Sequence, residues 1–264
     1  MSETAGAEGG DSGGRGESDP VDDFTVDAGA SEERGRLKIH GRKKGRLKTR
    51  EVDWLLDTLP RYQIPKAGDR RELMGLLGAD PDSGRLVLEI GFGNGLFLTD
   101  LAKRYPGDRF IGIDVFLEGV AGLIRKVEPA GLTNVRISKE PAQSAIVEEI
   151  PPTSLDRVII NFPDPWPKKR HHKRRLIQPE FLDCLALGMR QGGLLSLATD
   201  WAEYGEWMLE MLEKHPCFAN QVGSGCFAPE PEGWIETRFQ EKGLAAGRGT
   251  HHLLYAKVAD PPKR

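Results

Sequence analysis

The stretch Glu89-Ile90-Gly91-Phe92-Gly93-Asn94-Gly95 sets a carboxylate ahead of three glycines at alternate positions. Glycine lets a backbone turn tightly and approach a ligand where a Cβ would clash. The chemistry on offer is therefore the cradling of a small molecule. A dinucleotide fingerprint needs its third glycine at position 96, which is Leu96. Glu89 would also meet a pyrophosphate as a like charge, which is costly in a cleft of low dielectric. The same carboxylate favours a ligand with an ammonium and a sulfonium, and S-adenosylmethionine (SAM) is such a ligand. Asp114 follows 25 residues after Glu89, where α/β nucleotide folds place an acid to accept from ribose hydroxyls. For both acids a helix cap or a solvated loop charge is the alternative, which the pairing of Glu89 and Asp114 with three glycines opposes. Glu140, in Lys139-Glu140-Pro141-Ala142, could reach an adenine edge or stand in solvent.

A second constellation is Asn161-Phe162-Pro163-Asp164-Pro165-Trp166-Pro167. Prolines at three alternate positions fix φ and remove three backbone donors, which predicts a rigid, extended segment. Such a loop can hold Asp164 at fixed geometry over a ligand, between aromatics able to stack on a base; a structural proline-rich turn is the alternative. The run Lys168-Lys169-Arg170-His171-His172-Lys173-Arg174-Arg175 follows directly, with six permanent charges in eight residues. Charge runs usually form a solvated face. Beside a cofactor cleft, contact with an RNA backbone becomes the stronger reading, because polyanion binding needs several cations close to the chemistry. No metal site is expected. His171 and His172 lie inside a cationic run, and His251 and His252 fall on an extended run where successive side chains face opposite ways.

The elements that must position these residues alternate. Extended runs are expected at 85–90, 109–114, 134–138, 155–160 and 193–199. Helical stretches are expected at 95–105, 117–129, 142–149, 176–190 and 201–214, with two last extended runs at 235–240 and 251–258. Strands separated by helices imply crossover units and a mostly parallel sheet covered on both faces. Glu89, Asp114, Glu140 and Asp164 all fall just at or after strand ends.

Charge is unevenly spread. The whole chain of 264 residues carries −3, but residues 1–33 hold ten acids, seven glycines and one base, Arg15. That tail cannot bury enough apolar surface to offset its ordering entropy and reads as disordered. Residues 34–264 carry +6, and Arg34 to Arg50 alone holds nine Lys or Arg and no acid. The expected organisation is an acidic tail 1–33, a basic arm 34–60 and a catalytic domain 61–264. Cys184, Cys217 and Cys226 are too scattered for a zinc quartet or a disulfide framework and suit a reducing cytoplasm. No apolar run reaches 18 residues, so neither a membrane span nor a secretory leader is expected.

With these motifs in view, the chain from about residue 41 to 258 resembles the bacterial tRNA (guanine-N7-)-methyltransferase family. The resemblance rests on residues 89–95, 161–175, Ala198-Thr199-Asp200-Trp201 and Thr237-Arg238-Phe239-Gln240. It implies a Rossmann-like class I SAM-dependent methyltransferase fold, with a mostly parallel seven-stranded sheet and helices on both faces. It also implies methylation of N7 of guanine 46 in the tRNA variable loop. Carried over by position, Glu89, Gly91, Gly93, Gly95, Asp114, Glu140 and Asp164 would bind SAM, and Asp164 would also be catalytic. Lys168, Asp200, Thr237, Arg238, Phe239 and Gln240 would bind substrate. The implied partner is tRNA, with no membrane and no metal, and the chain would act as a monomer or homodimer. Three departures from the family pattern stand out: Asp114 for a frequent glutamate, Glu140 for a usual aspartate, and Gln240 for a frequent glutamate. Asp200 has a second reading as N-cap of the helix near Trp201.

Other functions remain open at this level. One is a SAM-dependent methyltransferase acting on an exocyclic amine of DNA or rRNA. Another is a non-catalytic RNA-binding protein on a methyltransferase-like fold. A nicotinamide-dependent oxidoreductase is opposed by Leu96 and Glu89.

Overall fold

The structure, a computed structural model, describes residues 47–232, 234 and 247–261. The expected acidic tail, the basic arm up to residue 46 and the extended run 235–240 lie outside the described residues.

Seven strands among the described residues form one sheet: β1 (Leu86–Ile90), β2 (Arg109–Ile113), β3 (Val135–Ser138), β4 (Leu155–Asn161), β5 (Met189–Thr199), β6 (Phe218–Asn220) and β7 (His251–Lys257). Their spatial order is β3-β2-β1-β4-β5-β7-β6. The first five run parallel, and β7 runs antiparallel to both β5 and β6. The order turns back between β1 and β4, so the crevice at their carboxyl ends is the place where such sheets bind ligands.

All five residues of β1 are buried, as expected for a central parallel strand covered on both faces. Leu86, Leu88 and Ile90 join the main core with Ile111, Val158 and Leu195. Helices α2 (Arg70–Leu76), α5 (Ala142–Glu148), α6 (Pro179–Gly188) and α7 (Ala202–Lys214) close that core through Met74, Ile146, Phe181 and Met208. Glu89 alternates to the opposite face, where α3 (Leu96–Arg104) approaches so closely that a Cβ on Gly112 would lie 2.8 Å from Leu98. Helix α4 (Leu117–Val127) packs beside α3 with Val120, Leu123 and Ile124 fully buried.

Residues 49–60 of the expected arm are ordered against this body. They form α1 (Thr49–Thr58) and a 3-10 turn at Leu59–Tyr62, with Leu55 and Leu59 buried. Arg125 of α4 pairs with Glu51 at 2.7 Å and lies over the Trp54 ring. Two strands differ from the expectation. β6 falls on no expected extended run, being a three-residue strand with no alternating signal. β5 begins at Met189, directly after α6, instead of near residue 193. Gly192 takes φ +75°, and a Cβ on Gly193 would sit 2.9 Å from the Leu155 carbonyl. The glycine pair thus makes a bulge that lets the strand start early.

Candidate active site

The glycine loop leaves β1 with the Gly91 amide donating to the Ile113 carbonyl at 2.8 Å. Gly91, Gly93 and Gly95 all take positive φ, at +75°, +56° and +74°. Their surroundings differ. Nothing lies within 4 Å of a Cβ built on Gly91 or Gly93, so these two leave open space for a ligand. Gly95 instead packs on α4, where an added Cβ would meet the Leu123 Cβ at 2.7 Å and its Cα at 2.9 Å. Gly119, which the motif reading missed, is needed for the same close approach: a Cβ there would stand 2.5 Å from the Gly93 carbonyl. Gly95→Ala combines a left-handed residue with a backbone clash, and the expected destabilisation is about 2–4 kcal/mol by urea unfolding. Gly91→Ala should cost about 1–2 kcal/mol, the conformational part alone, and should weaken cofactor binding more than stability.

Asp114, directly after β2, accepts from Gly93 N at 2.8 Å and from Phe116 N at 2.9 Å. Its carboxylate ties the glycine loop to the loop that opens α4. Burial raises its pKa, against the two amide bonds that lower it. Glu89 is 2 % exposed, and its Oε2 has no hydrogen-bond partner. Burial, with the charge of Asp114 added, raises its pKa to about 8. A buried carboxylate with a free oxygen beside a second buried carboxylate calls for a cation. The ammonium and sulfonium of SAM meet that need, and the open faces of Gly91 and Gly93 provide the room. The residues present fit this cofactor.

Asn161 is both the last residue of β4 and the first of the proline-rich motif. Glu89 pairs in register with Ile159, so Asn161 lies on the same sheet face one step further toward the carboxyl edge. Its buried Nδ2 also lacks a partner. A free acceptor and a free donor therefore sit on neighbouring strands at the turning point of the sheet. Buried unpaired polar atoms of this kind mark places where a ligand completes the bonding.

The remaining acids line the same edge. Glu140 follows β3, half-exposed, and takes Lys139 Nζ at 3.0 Å. Asp164 follows β4 and is exposed, with no hydrogen bond or ion pair drawn to it among the described residues. The loop around it is not the extended segment that the prolines predict. Phe162 and Trp166 take φ +52° and +43°, the left-handed region, and each precedes a proline. Residues before proline ordinarily favour extended backbone. Strained φ of this sort costs about 1–3 kcal/mol per residue and persists where surroundings over-determine it, often at functional sites.

Lys168 is exposed at the start of a 3-10 helix, Lys169–Arg174. Arg174 lies over the Trp166 ring at 5.1 Å. Arg175 departs from the expectation of a cationic face, since its side chain is fully buried. Asp200 does not cap α7, because Trp201 occupies the cap position. Its carboxylate accepts instead from Arg248 Nη2 at 2.8 Å and Nε at 3.0 Å. Thr237, Arg238, Phe239 and Gln240 lie outside the described residues. Among the described residues no cluster of three or more His, Cys, Asp or Glu is placed to hold a metal ion, and no helix is long and apolar enough to cross a membrane.

Comparisons with known proteins bear on this geometry. A family model described as "Putative methyltransferase" matches residues 83–253. The tRNA (guanine-N(7)-)-methyltransferase of Magnetococcus marinus is 51 % identical over 243 residues, covering 90 % of this chain and 92 % of that protein. The protein of the same name from Halorhodospira halophila is 42 % identical over 216 residues, covering 81 % and 92 %. Among solved structures, the 16S rRNA methyltransferase KamB superposes with a TM-score of 0.51 at 18 % identity, covering 74 % of this chain and 96 % of its own. The antibiotic-resistance methyltransferase Kmr gives 0.50 at 21 % identity, covering 75 % and 99 %. These two share the Rossmann-like class I fold with this chain. With the unpaired Glu89 carboxylate beside the open glycine loop at the turning point of such a sheet, and relatives this similar over nearly their whole length, the chain is a SAM-dependent methyltransferase and belongs to the tRNA (guanine-N7-)-methyltransferase family.

Proposed function

We propose that this enzyme methylates N7 of a guanine in tRNA, at position 46 of the variable loop. The observation that carries the cofactor half of this reading is the partnerless Glu89 Oε2, buried beside an open glycine loop. The names of the relatives and the exposed cations Lys168–Arg170 support the RNA half. Glu89 neutralises the cationic amino-acid end of the cofactor, Asn161 donates to the carboxylate at that end, and Asp114 and Glu140 accept from ribose and adenine. Lys168, Asp200 and the stretch Thr237 to Gln240 hold the tRNA. Residues 61–264 form the catalytic domain, the basic arm 34–60 adds phosphate contacts, and the tail 1–33 keeps the chain in solution.

Bound SAM supplies a methyl group on a positively charged sulfur. The N7 of guanine has a free lone pair and no proton, so no base is needed to create the nucleophile. Methylation leaves the purine cationic. Asp164, fixed beside the base, stabilises that charge as it develops and orients the ring. Because the guanine sits within a folded RNA, shape and backbone contacts must present it and splay it from its stack.

The test is acceptor activity with two transcripts of one tRNA, guanine or adenine at position 46. Methyl incorporation into the first and less than about 1 % of it into the second is expected: adenine keeps an N7, but it puts an amine where guanine has O6 and lacks the N2 amine, so a site bonded to the guanine edge rejects it. Equal labelling of both transcripts contradicts the assigned position.

A further inference from the structure

The run 168–175 ends in a residue that its neighbours do not resemble. Lys168, Lys169 and Arg170 are exposed, whereas the Arg175 side chain is 0 % exposed. Its guanidinium lies between two aromatic rings, 5.0 Å from the centre of Tyr204 and 5.1 Å from that of Trp207. Nη2 donates to Glu203 Oε1 at 3.0 Å and stands 3.0 Å from His172 Nε2. Nε donates to the carbonyl of Pro165 at 2.9 Å. Nη1 is buried with no partner.

Burying a full charge with one half-exposed carboxylate and an unpaired N–H is a costly arrangement for stability alone. Its product is an anchor on the residue after Asp164. That anchor matters because Pro163, Pro165 and Pro167 have no amide with which to tie the loop, and left-handed Phe162 and Trp166 bend it on either side. A loop so bent needs an outside restraint to keep one shape.

We propose that Arg175 is a positioning residue for methyl transfer, holding the Pro165 carbonyl from beneath and thereby fixing Asp164, and that it is not a ligand of RNA phosphate. This rests on the reading that places Asp164 beside the methylated base. Arg175→Lys keeps the charge and loses the planar fork that reaches Pro165, Glu203 and the two rings together.

The expected result is a kcat lower by roughly 10- to 100-fold, the scale of a misplaced catalytic group. The dissociation constant for tRNA should stay within about twofold, with its dependence on salt unchanged. Lys169→Ala, in the exposed part of the run, should do the reverse: weaker tRNA binding and a salt slope smaller by about 1. Thermal melting confirms that each variant is folded. In an Asp164→Ala background, Arg175→Lys should cost less than about twofold, because no side chain is left for it to position. Weakened tRNA binding with preserved kcat, or effects of Asp164→Ala and Arg175→Lys that multiply, overturns the proposal. Wild-type enzyme that leaves guanine N7 unmethylated overturns the functional reading and this proposal with it; an active wild type with multiplying effects overturns the role of Arg175 alone.

Discussion

Glu89→Gln removes the rise of SAM affinity between pH 6 and 8 and weakens the binding by about 100-fold or more. In the free wild-type protein the Glu89 carboxyl has a pKa of about 8, raised by burial and by the charge of Asp114. Below that pH it is mostly protonated, while the cationic cofactor is held by the ionised form. Binding must then release a proton, so affinity should rise about tenfold per unit from pH 6 toward 8, where the cofactor's own ammonium begins to lose its charge and the rise ends. Asp114 is also raised by burial and adds to the same trend at lower pH. Glutamine keeps the size and loses the charge, and loss of one partner from a buried ionic contact costs about 3–5 kcal/mol. Calorimetric titrations in buffers of different ionisation heat read both the affinity and the proton release. A flat affinity from pH 6 to 9 in the wild type would falsify the assignment of Glu89.

The same group sets a stability profile with a definite sign. Its pKa in the folded state lies above the ordinary 4.5 of the unfolded chain. The folded form therefore binds the proton more tightly, and the stabilisation is fully present below about pH 4.5 and lost as the pH rises through about 8. The cofactor-free protein should be less stable at pH 9 than at pH 6 by a few kcal/mol from this residue. Glu89→Gln should flatten that difference, and saturating SAM should reduce it in the wild type.

Asp164→Ala should lower kcat by about 100- to 1000-fold, the range seen when a preorganised charge-stabilising group is removed. Asp164→Asn should retain part of the rate, because an amide oxygen still orients the base but carries no charge. Guanine N7 has no proton to give up, so neither the wild type nor Asp164→Asn should show a limb in its pH–rate profile that reports a general base at this position. Rescue of Asp164→Ala by added small carboxylates with a Brønsted dependence on their pKa would contradict this account of Asp164.

Much of this site is legible in the chain because it is local. The glycine loop, Glu89 and Asp114 each stand at the end of a strand whose β-rich run and following helix are readable in a dozen residues. Parallel sheets gather such ends at one edge, so sequence order alone brings these acids together. What escaped depends on distant partners. Asp200 next to a helix start reads as a cap, and the competing Arg248 lies 48 residues away. Arg175 reads as one more solvated cation. Its burial depends on the 3-10 turn Lys169–Arg174 and on Tyr204 and Trp207 of α7, which no property of the run itself announces. The proline motif misleads in the opposite direction: local preference is for extended backbone, and tertiary anchoring bends it at Phe162 and Trp166. Asn161 was in plain view, but only the register of β4 against β1 puts its amide on the face of Glu89.

The central claim is tested most directly by the identity of the methylated nucleoside. Purified enzyme is incubated with methyl-labelled SAM and unmodified bulk tRNA, and the tRNA is then digested to nucleosides and resolved. The account predicts label in 7-methylguanosine, with the signal lost in Asp164→Ala. Label in any other nucleoside, such as one methylated on an exocyclic amine, would contradict it.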